Sequence, residues 1–190
     1  MIARILFAVF LAAICSGTLV AEEVVNVGSE IFHLAFTASN DEGSIKEFVP
    51  EGETIHNWST LVAVRYFNHL HSPEDYIRNM AEDYRQLMPH MQFAMSQLDQ
   101  ADVWDIDFIM YERGRTSGFL EWNYFRAERP GVGEGIVVNQ YVVRRPYSRS
   151  ISEAFDDWDL PSFRKQMLPV LKQAEFRIVG GESSEQEDEQ

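Results

Sequence analysis

Cysteine is nearly absent from this chain: one residue in 190, Cys15. It lies in an N-terminal stretch, MIARILFAVFLAAICSGTLVAEE, with one basic residue, Arg4, an apolar run from Ile5 to Ile14, then small residues and a polar break at Glu22. That layout predicts a secretory signal peptide over residues 1–21, cleaved after Ala21. Ile14 stands where a lipoprotein signal places a small residue, so lipidation at Cys15 is the lesser alternative. A mature chain without cysteine has neither disulfides nor thiol chemistry, although the implied compartment is oxidising. Long apolar runs are also scarce. The one at Ile5–Ile14 is shorter than the roughly 20 residues a bilayer span needs, so a soluble mature chain without a transmembrane segment is expected, in the periplasm or secreted. Positive charge is the third shortage: 16 Lys and Arg face 30 Asp and Glu, a net charge of -14. Five acids sit in the last nine residues, ESSEQEDEQ, so residues 181–190 are expected to be a disordered tail that aids solubility. Nucleic acid and anionic membrane faces require clustered Lys and Arg and are excluded as partners.

Apolar residues are plentiful, at 45% with 13% aromatic, enough for one packed domain over residues 22–180. Alternation predicts a long strand from Val24 to Ser39, a turn at Asn40-Asp41-Glu42-Gly43, a second strand from Ser44 to Val49 and a third from Leu61 to Leu70. Ser72-Pro73-Glu74-Asp75 is a helix start: serine caps, proline suits the first position, and acids favour the positive end of the dipole. Ile77, Met80, Tyr84, Leu87, Met88 and Met91 then recur at helical spacing. Pro89 ends this helix, and a second short helical piece is expected up to Leu98. Three meander strands begin at Val103, Phe119 and Ile136, and a closing helix spans Pro161 to Ala174. These elements predict an α+β fold, an antiparallel sheet covered by two main helices, with no internal repeat.

The order of a hairpin, a strand, a long amphipathic helix, a three-stranded meander and a last helix leading into Ala174-Glu175-Phe176-Arg177-Ile178-Val179 resembles the Mog1/PsbP/DcrB-like fold group. The similarity covers nearly the whole mature chain and lies in element order. It implies an accessory or binding protein, and it transfers no residue role because functions differ among members.

Catalysis would need a nucleophile with a base, a carboxylate pair in a cleft or a metal cluster. There is no Gly-x-Ser-x-Gly, and Ser117 falls in a hairpin turn without the strand-turn-helix setting of a nucleophile. His69 and His71 share a face if their strand continues, but two imidazoles do not complete a zinc site; His33, His56 and His90 could add a ligand only through tertiary proximity. Asp105 and Asp107 alternate with Trp104, Ile106 and Phe108 and are expected on the solvent side of a half-buried sheet, paired at most to Arg126 or Arg144. Gly131-Val132-Gly133-Glu134-Gly135 lies between two strands, where a phosphate loop would feed a helix. Asn57-Trp58-Ser59 matches a glycosylation sequon.

Two features remain. In the loop EFVPEGETIHNWST, Pro50 and Gly52 mark a corner, and Thr54 or Asn57 could cap a helical turn; Trp58 either plugs the core or stands at a cleft mouth. Arg144, Arg145 and Arg149 form a basic cluster able to grip carboxylates. Trp58 with Arg144, Arg145 and Arg149 is therefore the candidate binding surface. The function expected is that of an exported, non-enzymatic accessory or binding protein for an unknown protein or small ligand, without a cofactor. The alternative is a hydrolase or metal-dependent enzyme whose site, drawing on His69, His71, Asp105 and Asp107, assembles only in three dimensions.

Overall fold

The structure, a computed structural model, describes residues 23–88, 93–98, 102–111, 117–131, 134–148 and 150–180. The expected signal peptide, the acidic tail, Arg149, His90 and the loop residues Arg113–Thr116 lie outside the described residues. In chain order the elements are β1 (Val24–Val27), β2 (Glu30–Asn40), β3 (Gly43–Pro50), β4 (Thr60–Phe67), α1 (Pro73–Leu87), β5 (Phe93–Gln97), β6 (Val103–Met110), β7 (Gly118–Glu128), β8 (Ile136–Tyr147), α2 (Ile151–Asp157), α3 (Leu160–Gln173) and β9 (Ile178–Val179). The strands form one antiparallel sheet in the order β5-β6-β7-β8-β4-β3-β2-β1-β9. The class is α+β, in a single domain dominated by its sheet.

Local chemistry explains most boundaries. Asn40 closes the β2–β3 hairpin by accepting the amides of Glu42 and Gly43 on its side-chain oxygen, at 3.0 and 3.1 Å. Ser72 caps α1 through its hydroxyl, which accepts the Asp75 amide at 3.0 Å, and Pro73 opens the helix. The long first strand divides instead into β1 and β2, because Gly28 takes φ +61° and turns the chain. The third strand stops at Phe67. Residues 93–97, expected to be helical, form edge strand β5 against β6; five residues give a helix little to propagate from, and pairing supplies their backbone partners. α2 had no counterpart in the expected order. Its start is a capping box, with the Glu153 amide donating to the Ser150 hydroxyl at 3.3 Å and the Ser150 amide donating to the Glu153 carboxylate at 3.1 Å.

The helices do not share one layer. Ile77, Met80 and Ala81 of α1 pack on Ile106, Phe108, Phe125, Ala127, Ile136 and Val138. Trp122, Tyr124, Tyr141 and Val143 face the other way, towards Phe155 of α2 and Phe163, Met167 and Leu171 of α3. Both faces of the central strands are thus covered, which is why β7 is buried almost continuously from Leu120 to Ala127. The picture of two helices on a sheet is corrected to three, with α1 on one face and α2 and α3 on the other.

At the far side, β1 pairs with β2 only over Glu30–His33, with one further bond from the Leu34 amide to the Glu23 carbonyl at 3.0 Å. Among the described residues no strand lies along the edge of Ala35–Asn40 that is turned away from β3, and the register of β2 on β3 shifts between Leu34 and Phe36.

Two glycines test how closely the chain is packed. A Cβ on Gly135 would run into the Phe67 carbonyl oxygen, whereas one on Gly52, at φ +79°, meets open space. Gly135→Ala is expected to cost about 2–3 kcal/mol by forcing backbone apart, and Gly52→Ala only about 1 kcal/mol for the left-handed backbone. Urea unfolding midpoints of the two variants check the order; equal losses would contradict it.

Candidate functional site

The loop after β3 is a corner held by its own side chains. Thr54 and Asn57 exchange backbone hydrogen bonds, at 3.1 and 3.0 Å, so they close a tight turn and cap no helix. The Glu53 carboxylate accepts both the amide and the hydroxyl of Ser59, each at 2.7 Å. Trp58 is half-buried and packs on the group formed by Val49, Leu61, Ala63 and Val142. It plugs that end of the core. A hollow of about 290 Å³ between this loop and β2 is lined by His33, Val49, Glu51 and Thr54 among others.

Trp58 also carries Arg144, whose guanidinium lies 3.6 Å from the indole centroid and 4.7 Å from the Phe119 ring. Glu121, directly opposite on β7, completes the clasp at 2.7–2.8 Å. Arg144 is therefore engaged by one carboxylate and two rings. Arg145, one residue on, points to the other face by the alternation of the strand. The residues of the expected surface consequently divide: Trp58 and Arg144 stand together, Arg145 stands apart from them, and Arg149 is outside the described residues.

Arg145 lines an open cleft of about 510 Å³ between the end of β8 and α2, with Leu120, Tyr147, Glu153, Asp157 and Trp158 among its walls. Its guanidinium lies 5.8 Å from the Trp158 ring centroid. Among the described residues it has no hydrogen bond and no ion pair. Arg65, Arg78, Arg85, Arg126, Arg129, Arg144 and Arg164 each face an acid; the exposed Arg177, away from the cleft, is like Arg145 in having none among the described residues. α2 forms one wall of this cleft, and because α2 was not foreseen, neither was the cleft; the capping signal Ser150-x-x-Glu153 was the cue that could have revealed it.

The two aspartates overturn the expectation of a solvent face. Asp105 and Asp107 are 3% and 5% exposed, beneath α3. Arg164 grips Asp107 in a fork, Nε to Oδ2 at 2.6 Å and Nη2 to Oδ1 at 2.9 Å, and the Trp122 indole N–H donates to Oδ2 at 3.0 Å. Bonding to Asp107 holds the Arg164 guanidinium above its usual range. Lys172 sits 3.1 Å from Asp105 Oδ2, and the Ser96 hydroxyl donates to Oδ1. The expected partners do other work. Arg126 donates to the Ala174 carbonyl at 2.9 Å and pairs with Glu128 at 2.6 Å, so it holds the end of α3, while Arg144 serves Glu121. Around this network burial pushes the Tyr124 phenol far up, with Asp105 adding to the effect, and burial with Glu30 does the same to Tyr141. On the α1 face, burial holds the Glu47 carboxyl above its usual range and the Arg65 guanidinium below its own, with 3.8 Å between them.

His69 and His71 follow the end of β4 and are exposed. The His69 ring nitrogen Nδ1 lies 3.3 Å from the Glu42 carbonyl, and the His71 carbonyl accepts from Arg129. Among the described residues no group of three or more His, Cys, Asp and Glu stands close enough to hold a metal ion, and no helix is long and apolar enough to cross a membrane.

Residues 19–176 match the model of one protein family, an uncharacterised one. No curated protein and no solved structure matches the chain.

Asp107→Ala would leave Arg164 and the Trp122 N–H without their acceptor. A loss of about 3 kcal/mol is expected, the low end for a broken buried pair, because the Arg164 side chain is 36% exposed and regains water. Chemical unfolding measures it, and a loss below about 1 kcal/mol would contradict the clamp. The phenols give a pH signature. Below about pH 10, the ordinary range of a phenol, folded and unfolded chains both keep the protons of Tyr124 and Tyr141, and the contribution is intact. As pH rises past 10 the unfolded chain releases protons the folded chain retains, so stability falls by up to about 1.4 kcal/mol per pH unit for each phenol. Tyr124→Phe should make that fall shallower in urea titrations between pH 9 and 11; an unchanged slope would contradict the assignment.

Proposed function

The chain belongs to that uncharacterised family, and from this premise we propose that it is an exported, non-enzymatic accessory or binding protein that recognises its ligand at the cleft of Arg145 and Trp158. One observation carries the reading: in a chain of net charge -14, the guanidinium of Arg145 is left without an acid among the described residues and stands over an aromatic wall in an open cleft. An unpaired arginine in such a place offers a carboxylate or phosphate a two-pronged contact. Grouping the chain with the Mog1/PsbP/DcrB-like proteins rests on the order of elements read from the sequence. Export rests on the sequence of residues 1–21.

A second reading, a hydrolase, has its own observation. Ser96 Oγ lies 3.0 Å from Lys172 Nζ beside Asp105, which resembles a serine with a basic neighbour. Lys172 is held against a buried carboxylate, and an ammonium so placed donates to the hydroxyl rather than taking its proton. For this reason the binding reading stands first.

The test is native mass spectrometry of the mature protein isolated under mild conditions from the cell that makes it. A bound component present in the wild type and lost in Arg145→Ala, with unfolding free energy changed by less than about 0.5 kcal/mol, is the expected result. Equal retention in both removes the cleft from consideration. Covalent labelling of Ser96 by a fluorophosphonate in the same preparation would put the hydrolase first.

A further inference from the structure

The helical wall of the Arg145 cleft goes against the local preferences of a helix. Glu153 and Asp157 stand four residues apart on α2, so both carboxylates fall on one side of it, and both line the cleft. Like charges at that spacing disfavour a helix. Asp157, the last residue of α2, also adds negative charge where the helix dipole is already negative, and no basic residue in that turn offsets it. Glu153 has a use within the fold, since it accepts the Ser150 amide at 3.1 Å. Asp157 makes no hydrogen bond and no ion pair among the described residues, and it lines the same cleft as Arg145 without pairing with it. An acid that its own helix disfavours, and that serves nothing in the fold, marks a demand from outside the fold.

Leu120, Tyr147 and Trp158 are 1%, 8% and 9% exposed, so an occupant of the cleft meets chiefly the exposed Arg145, Ser148, Glu153 and Asp157. One cation thus shares with two anions a space of about 510 Å³. A compact space of that size is on the order of 10 Å across, and over that distance two unit charges alter an affinity roughly twofold in water and roughly tenfold near a protein surface. The first negative charge on an occupant is met by the fork of Arg145. A second finds no further cation among the described residues of the cleft and is repelled by two carboxylates. We infer that Glu153 and Asp157 are specificity-determining residues, which limit the occupant of the cleft to a single negative charge: a small monocarboxylate, in preference to a dicarboxylate or a phosphate dianion. The inference rests on the binding reading above, and it adds rejection of the wrong ligand to recognition of the right one.

Butanoate and succinate share a four-carbon chain and differ by one carboxylate. NMR titration of the mature protein at low ionic strength, read on the Arg145 Nε–H and Trp158 indole N–H signals, is expected to show butanoate binding at least roughly fivefold more tightly than succinate. The gap should close as added salt screens the acids. Combining Glu153→Gln, which keeps the capping box, with Asp157→Asn should strengthen succinate more than butanoate, so that the preference disappears. Equal binding of the two probes to the wild type overturns the inference, as does a preference that survives in the double variant. Loss of butanoate binding in the double variant overturns it too, because the acids would then be holding the ligand and not filtering it. Should neither probe bind while Arg145→Ala still loses its co-purified component, the charge limit falls and the binding reading survives; should that component also be retained, both fall.

Discussion

The pairing of Asp107 with Arg164, and of Asp105 with Lys172, is the constraint on which the α3 face is built. Two carboxylates placed in the middle of a sheet would each cost several kcal/mol if left unpartnered. Both cations come from one helix, eight residues apart, so α3 must lie across β6 in a particular direction and register to serve both. Its apolar side alone would not impose that, since Leu171 is the one α3 residue fully buried. Arg126 adds a third tie by holding the Ala174 carbonyl where the helix ends. The aromatic layer of Trp122, Phe163 and Trp158 then fills the space the ion pairs define, and α2 follows from the way the chain approaches it.

Hydrophobic spacing made the sheet strands and α1 legible, because each buries a face whose period is that of its own geometry. It failed where the period ceased to carry information. In β6 and β7 both faces are covered, so Asp105 and Asp107 looked like the wet side of a strand when they are the polar centre of a dry one. Their partners, Arg164 and Lys172, lie 57 and 67 residues further on, a separation local pattern does not bridge. β5 and α2 were missed for a different reason. Five and seven residues are too few for periodicity to distinguish strand from helix, and each owes its form to a neighbour: the edge of β6 for one, a capping box for the other.

Arg144 and Arg145 show how much one step along a strand can change. Alternation sends neighbours to opposite faces, so grouping them with Trp58 as one surface ran against the backbone that carries them. Arg144 is enclosed by two rings and a carboxylate and serves the fold. Arg145 meets one ring at greater distance and keeps its donors open. The same side chain thus acts as packing in one place and stands as an exposed, unpaired cation in the next.

The irregular register between Leu34 and Phe36 bears on how the protein behaves in company. A straight, uncovered border of Ala, Phe, Thr and Ser would invite another chain to lie down along it and stack. A kink near the start of that border increases the local twist and spoils the match with any flat neighbour. Crowded solutions of this acidic molecule should therefore stay clear, with the backbone's own irregularity guarding the exposed rim.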